Sequence, residues 1–534
     1  MAFGILIVSI VILFCVLLNR LSQRIGIPML LTFILLGVAF GTDGILKIPF
    51  ENYRFAEQIC SVALIFIMFY GGFGTNWSQA RPVAIKSALL STLGVALTAA
   101  LTGLFCYFIL GMELLESLLI GAVISSTDAA SVFAILRSNK MGLRYHTDSM
   151  LELESGSNDP CSYMLTVIVL SIMEGKTSAG SILAMVFSQF FFGILVGVLV
   201  ALIAVWILKR ASFSVAGFDM AFVIGVALIS YSLAAVLGGN GYLSTYLCGI
   251  ILGNARFQNK KALVHFFNGI TSLMQMLIFF LLGLLATPSR IPQILLPALG
   301  VMLFLTLAAR PIAVFACLSP FRCRLRQTIL VSFAGLRGAA SIVFAIMAVA
   351  GETTQNNDLF HIVFCIVLLS ILFQGSLLSP FARWLGMSDK DIDVMRTFSD
   401  YTDETDLHLM KLTIREGHPW AGHAIQDIVL PPDTLMILVI QKDIPMIPHG
   451  GTLLHEGDVA VLSAHEYQGG SAISLQEHRI LPESKWIGKT VHDFSPKSGE
   501  LVIMVIRGDQ AIIPKGDTVI EENDLLVVNL SGTP

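Results

Sequence analysis

The sequence predicts a polytopic α-helical membrane protein of about thirteen transmembrane helices, in inverted repeats with discontinuous helices, ahead of a tail of two small α+β domains. Three observations predict it. The 534 residues are 55% hydrophobic and only 13% charged, and the mean hydropathy is +0.79, outside the range of ordinary soluble domains. Up to about residue 385, apolar runs of roughly 17–25 residues recur, the length that crosses about 30 Å of hydrocarbon. Beyond that point the chain reads as soluble and repeats itself at a fixed offset.

The spans fall near 2–20, 28–41, 56–73, 83–110, 114–137, 149–173, 181–208, 217–236, 242–257, 267–286, 294–317, 327–350 and 359–383. They are numbered one to thirteen below. The first has no basic residue before its apolar run and no small-residue cleavage site, so it is expected to be a retained span. The eight cysteines, Cys15 to Cys365, all lie in this part without a CxxC pair, which fits small packing residues rather than disulfides or zinc ligands.

Basic residues mark the orientation. Arg20, Arg24, Arg81, Lys86, Arg137, Lys140, Arg144, Lys209, Arg210, Arg256, Lys260, Lys261, Arg322, Arg324, Arg326, Arg383 and Lys390 occupy one set of span ends. Lys47, Arg54, Lys176 and Arg290 occupy the other. The positive-inside rule places the richer set in the cytoplasm of a bacterial cell, the N-terminus outside and the tail inside. A net charge of -4 without a basic stripe speaks against a nucleic-acid partner.

Polar residues within spans gather in three places. The fifth span holds Ser125-Ser126-Thr127-Asp128, the sixth Glu154-Ser155-Gly156-Ser157-Asn158-Asp159-Pro160, and the twelfth Gly335-Leu336-Arg337-Gly338. In the sixth, Glu154 with Asn158 and Ser155 with Asp159 are four apart, so both pairs stack into one polar stripe. Pro160 lacks an N–H and loosens the ladder beside Asp159. The fifth and twelfth spans are expected to be broken helices, because Ser, Thr and Asp compete for backbone bonds and the glycines free the chain. Open backbone at membrane depth is tolerated only where it lines a protein-enclosed cavity. The breaks hold similar places in two sets of six spans joined by one linker span, the plan of an inverted repeat with a midplane site.

Intramembrane charge is costly and marks ion paths. Asp159 is therefore the first candidate for exchanging a proton for an alkali cation, with Thr127 and Ser155 as hard oxygen ligands and Asn158 adding an amide without a second charge. Arg337 needs an acidic partner, to be found among Glu154, Asp128 and Asp159. Glu154 is favoured, as a structural ion pair. Asp128 also reads as a helix cap. Glu152 has no assigned role, His265 and His361 sit near span ends as interfacial residues, and Arg310 before Pro311 reads as satisfying local backbone or another span.

These motifs, in this order and spacing over about residues 1–385, resemble the cation:proton antiporter superfamily in its sodium/proton-exchanger-like CPA1 branch. The carriers are Ser126-Thr127-Asp128-Ala129-Ala130, Glu154 to Pro160, and Gly335-Leu336-Arg337-Gly338-Ala339. The resemblance implies thirteen spans, a mobile core domain sliding against a dimerisation domain, and a homodimer. It implies Asp159 as the exchange carboxylate, Asn158 as the mark of electroneutral exchange, Glu154 paired with Arg337, and Thr127, Asp128 and Ser155 completing or ordering the site. The subgroup resembled is the bacterial potassium/proton antiporters. One departure is Tyr70-Gly71-Gly72, where some relatives carry an acidic residue; the Tyr70 phenol is an auxiliary ligand at most.

The tail begins after a linker at 386–404. Trp420 aligns with Trp486, Gly422 with Gly488, Asp427 with Asp493, Asp443 with Asp509, Pro448 with Pro514 and Asp458 with Asp524, without a gap. The copies, 405–466 and 467–534, resemble the TrkA-C (RCK-C) subdomain of potassium-conductance regulators. That implies dimerisation or sensing of a cyclic dinucleotide such as cyclic di-AMP, with Val439–Pro448 and Val505–Pro514 as the regions to inspect. No Gly-rich dinucleotide fingerprint precedes them. The function expected is electroneutral antiport of potassium, or sodium, for protons by alternating access, with no cofactor. The alternative is a ligand-gated monovalent cation channel, against which one carboxylate is a poor multi-ion pore and no TVGYG-like filter is present. No nucleophile–base constellation suggests an enzyme.

Overall fold

A computed structural model of the chain describes residues 9–17, 29–138, 141–175, 178–210, 217–255, 260–351 and 357–389 of the membrane part, and 407–465, 474–493 and 500–530 of the tail, apart from isolated loop positions. Met1–Glu404 and Thr405–Pro534 form two compact units.

Within the described residues, each expected span coincides with helix. Residues 9–17 are helical, and after them come Met29–Phe40, Tyr53–Gly74, residues 84–110, Leu114–Ile124 with Ala129–Ser138, Thr147–Met173, Ala179–Arg210, Phe218–Val236, Gly241–Asn254, Lys260–Leu285, residues 291–318, Leu325–Phe333 with Ala339–Ala350, and residues 359–384. Among the described residues, seven helices are long and apolar enough to cross a membrane by length and composition. The fifth and twelfth spans are broken where the breaker residues lie, at 125–128 and 334–338. Single π-helical turns interrupt three more, at Leu90–Gly94, Leu305–Ala309 and Ser370–Gln374. The first two of these occupy matching places in the fourth and eleventh spans, as the broken segments do in the fifth and twelfth. Such turns widen a helix by one residue and are common at functional sites.

Three apolar clusters hold the described helices of the membrane part; the largest runs from the second and third spans through the tenth and eleventh to the twelfth and thirteenth. A second cluster joins the third, seventh, eighth, ninth and tenth spans through Phe69, Ala201, Val223, Cys248 and Phe267. There the third and ninth helices touch backbone to backbone: a Cβ on Gly72 would sit 2.2 Å from the Tyr246 carbonyl oxygen, and one on Gly249 2.3 Å from that of Phe69. Small residues at such crossings are how helices associate in lipid, where burial of apolar surface drives little. A third cluster packs Ala129–Ser138 against Leu325–Phe333 and the end of the thirteenth span through Val132, Leu330 and Leu378. A two-residue antiparallel pairing of Gly142–Leu143 with Ser388–Asp389 ties the loop before the sixth span to the chain leaving the thirteenth.

At the opposite end of the bundle, Asp358 caps the thirteenth span, and its carboxylate meets His361 Nδ1 at 2.8 Å and Arg290 at 3.2 Å. Burial opposes its ionisation, but the His361 and Arg290 contacts outweigh this and hold the carboxyl below its usual range. His361 is buried rather than interfacial, and its Nε2 accepts the Thr287 N–H at 3.0 Å. The span-end position suggested lipid headgroups; a capping carboxylate and a chain turn occupy both ring nitrogens instead.

The tail repeats strand for strand. The first sheet has Leu407–Thr413 against Val459–His465, then Leu435–Gln441, then Ile444–Met446. The second has Ser474–Arg479, Leu525–Leu530, Glu500–Arg507 and Gln510–Ile512 in the same order. Even the register shifts correspond, between Met436 and Leu438 in one copy and between Val527 and Val528, opposite the equivalent strand, in the other. One position shows how the copies diverged. Gln441 donates to Asp458 and the Leu453 carbonyl, and its equivalent Arg507 donates to Asp524 and the Val519 carbonyl. Asp524 ends up below the usual carboxylate range, because its burial is outweighed by hydrogen bonds from Arg507 and the Glu521 N–H.

Candidate functional site

The two broken spans meet. The Asp128 N–H donates to the Leu336 carbonyl at 2.8 Å, and Arg337 Nη1 donates to the Ser126 carbonyl at 2.7 Å. Each break thus satisfies backbone that the helices leave open. The charges match the dipoles: Arg337 binds at the C-terminal end of Leu114–Ile124, where carbonyls point outward. Asp128 sits at the N-terminal end of Ala129–Ser138, accepting from Ser131 Oγ at 2.5 Å and its N–H at 3.3 Å. Asp128 is a helix cap, whatever else it does. The crossing leaves no room for a side chain at Gly338, where a Cβ would lie 2.2 Å from Asp128 Oδ2 and 2.4 Å from its Cβ. Gly338→Ala is therefore expected to destabilise the protein by about 1–3 kcal/mol and to disable the site. Gly225→Ala in the eighth span, with nothing within 4 Å among the described residues, should leave the unfolding temperature in detergent unchanged.

The sixth span runs beside this crossing. Asp159 accepts a hydrogen bond from Ser126 Oγ and is 6% exposed. Thr127 Oγ1 lies 2.9 Å from Ser155 Oγ and accepts from Asn158 Nδ2 at 2.5 Å. Thus Asp159, Asn158, Ser155, Thr127 and Asp128 are brought together around the broken fifth span. Asn158 Oδ1 is buried without a donor among the described residues. A buried acceptor left open in a ring of oxygens is costly unless something electropositive completes it. Gly156 lets the ninth span approach: a Cβ there would fall 2.6 Å from the Tyr246 ring. Asn240 Nδ2 then donates to the Pro160 carbonyl at 2.7 Å, pinning the sixth span where proline has loosened it.

The structure corrects the ion pair. Glu154 is not bonded to Arg337; both its oxygens lie 2.8 Å from Nη2 of Arg310, and both residues are fully buried. The π-helical turn Leu305–Ala309 immediately precedes Arg310. One extra residue rotates the remainder of the helix by about 100° relative to an uninterrupted one, which aims Arg310 at the sixth span. Arg337 is drawn to the carbonyl end of the fifth span instead. Sequence reasoning also left out the Ser126 hydroxyl and Tyr246. Ser126 lay in the breaker motif, and Tyr246 carries no local signal. Tyr70 packs against the apolar cluster of the third, seventh, eighth, ninth and tenth spans.

Residues 9–384 match the family described as sodium/hydrogen exchanger, transmembrane. The chain belongs to that family. Residues 409–466 and 475–530 each match the TrkA-C domain. The chain is 33% identical over 441 residues to a K(+)/H(+) antiporter NhaP of Alkalimonas amylolytica, covering 82% of this chain and 77% of that one. It is 32% identical over 485 residues to a K(+)/H(+) antiporter NhaP2 of Shewanella baltica, covering 90% and 83%. In fold it is similar to the sodium proton antiporter MjNhaP1 of Methanocaldococcus jannaschii, with TM-score 0.64, 22% identity, and coverage of 72% of this chain and 99% of that one. These exchanger relatives place the chain in a transporter family.

Proposed function

We propose that this exchanger-family chain swaps a monovalent cation, potassium before sodium, for a proton by alternating access and without net charge movement. The observation that carries the reading is the buried carboxylate of Asp159, which accepts from the Ser126 hydroxyl, beside the open acceptor of Asn158. Asp159 holds either a proton or a cation. With either it is neutral enough to cross the barrier, and empty it is an uncompensated charge in a low-dielectric cavity. Glu154 adds no second exchangeable site, because Arg310 cancels it. The potassium preference rests on relatives named as K(+)/H(+) antiporters and on the TrkA-C tail.

The working unit proposed is a homodimer in a bacterial cell membrane with the tail in the cytoplasm. The tail acts there as a gate sensing a small ligand, with a cyclic dinucleotide the first to try at the hairpins ending in Met446 and Ile512.

The test is proton flux in sealed proteoliposomes of the full chain, on addition of potassium, sodium or lithium with the membrane potential clamped. Proton movement that responds to potassium and ignores the clamp is expected. A response to sodium alone keeps the mechanism and changes the substrate. Cation current without obligate proton movement means a channel and overturns the reading.

A further inference from the structure

A second carboxylate in the membrane part takes no role in the site above. Glu57 lies in the second turn of the third span, half-buried, and its hydrogen bond is to the Ser61 hydroxyl at 3.2 Å rather than to a cation. The start of this span packs at the Asp358 end of the bundle, with Tyr53 edge-on to Phe360 at 5.5 Å. The basic-residue asymmetry assigns that end to the outside.

Between Glu57 and Asp159 stands a wall of aromatic rings. Tyr163 is one helical turn beyond Asp159 on the same face of the sixth span. Its ring meets Tyr242 edge-on at 5.0 Å and Phe344 at 5.8 Å, and Tyr231 closes on Tyr242 at 5.0 Å. These rings come from the sixth, eighth, ninth and twelfth spans, so they bridge the helices that carry the site and the helices beside them. Three of the rings carry hydroxyls, and Phe344 does not. The Tyr242 hydroxyl faces Ser61 and Tyr231, and Glu57 lies within electrostatic reach of Tyr163 and Tyr231. Going inward from the Asp358 end, Glu57 therefore comes first, then Ser61 and the ring cluster, with Tyr163 one turn short of Asp159.

Resting on the exchange reading, we propose that Glu57 is a positioning residue that recruits the alkali cation at the Asp358-side mouth, in front of a seal formed by Tyr163, Tyr231, Tyr242 and Phe344. A lone carboxylate in a mouth with low-dielectric walls focuses its field along the entrance and raises the local cation concentration. It has no such effect on cations arriving from the opposite end. The occupant is a monovalent cation that keeps part of its water shell, since a single carboxylate and phenol oxygens cannot replace the whole of it.

The experiment measures potassium-driven proton flux of the full chain in membrane vesicles of each orientation, with protease access to the tail reporting which end faces the medium. Glu57→Gln should raise the KM for potassium presented at the Asp358 end about tenfold. The maximal rate, and the KM from the tail-side end, should stay unchanged. Glu57→Asp, which keeps the charge, should restore most of the affinity. In the unsubstituted protein, impermeant salt should raise the KM from the Asp358 end more than from the other, because it screens a charge that is open to water on that side only. This reading needs no variant to fold. An unchanged KM, an equal rise from both ends, or an Asp variant as impaired as the Gln variant would overturn the role of Glu57. Absence of coupled exchange in the unsubstituted protein would instead defeat the exchange reading itself.

Discussion

Asp159→Asn should reduce cation-driven proton flux to the background of protein-free liposomes while leaving the fold intact. Asparagine keeps the size of the side chain and an acceptor for the Ser126 hydroxyl, so the crossing of the fifth and sixth spans has no reason to rearrange. What it removes is the carboxylate proposed to exchange the proton for the cation. Glu154 cannot take over, because Arg310 holds both its oxygens, and Asp128 is committed to capping Ala129–Ser138. The unfolding temperature in detergent should hold or rise slightly, since a desolvated charge is exchanged for a neutral amide. Size-exclusion behaviour should match the parent. Coupled exchange at more than a few per cent of the parent rate in this variant would remove Asp159 from the mechanism and direct attention to Asp128.

Much of this arrangement was legible because its signals are local. Span positions come from apolar length, and both helix breaks come from short runs whose side chains or glycines disfavour a continuous ladder. The polar stripe of the sixth span comes from spacing of four. The tail's two sheets come from a repeat that survives without a gap, down to Gln441 and Arg507 reaching equivalent acids. The partner of Glu154 was not legible, for a physical reason. Two arginines in different spans were available, and the choice depends on a π-helical turn at Leu305–Ala309. The only local trace of that turn is Pro311, whose missing N–H leaves the Leu307 carbonyl without its usual donor. The aromatic wall at Tyr163 and Tyr242 was equally hidden, since it joins residues nearly eighty positions apart.

The Glu154 assignment carries the second large expected effect. Arg310→Met should leave a carboxylate buried without its cation, a loss of about 3–5 kcal/mol, read as a fall in unfolding temperature and in the yield of folded protein. Glu154→Gln alone should also destabilise, because it leaves the buried Arg310 guanidinium, whose Nε and Nη1 already lack partners among the described residues, without a counter-charge. The double variant Arg310→Met with Glu154→Gln should recover most of the loss, because replacing both members of a buried pair by neutral groups of similar volume is often close to neutral. A cycle of these variants should therefore show strong coupling. The matching cycle with Arg337→Met should show much less, since Arg337 spends its Nη1 on the Ser126 carbonyl and closes the broken fifth span. That loss should instead accompany failure of exchange, because Ser126 is also the donor to Asp159. Strong coupling of Glu154 to Arg337 and none to Arg310 would reverse the assignment. The two arginines would then exchange roles, one locking the sixth span and the other bridging the broken fifth span.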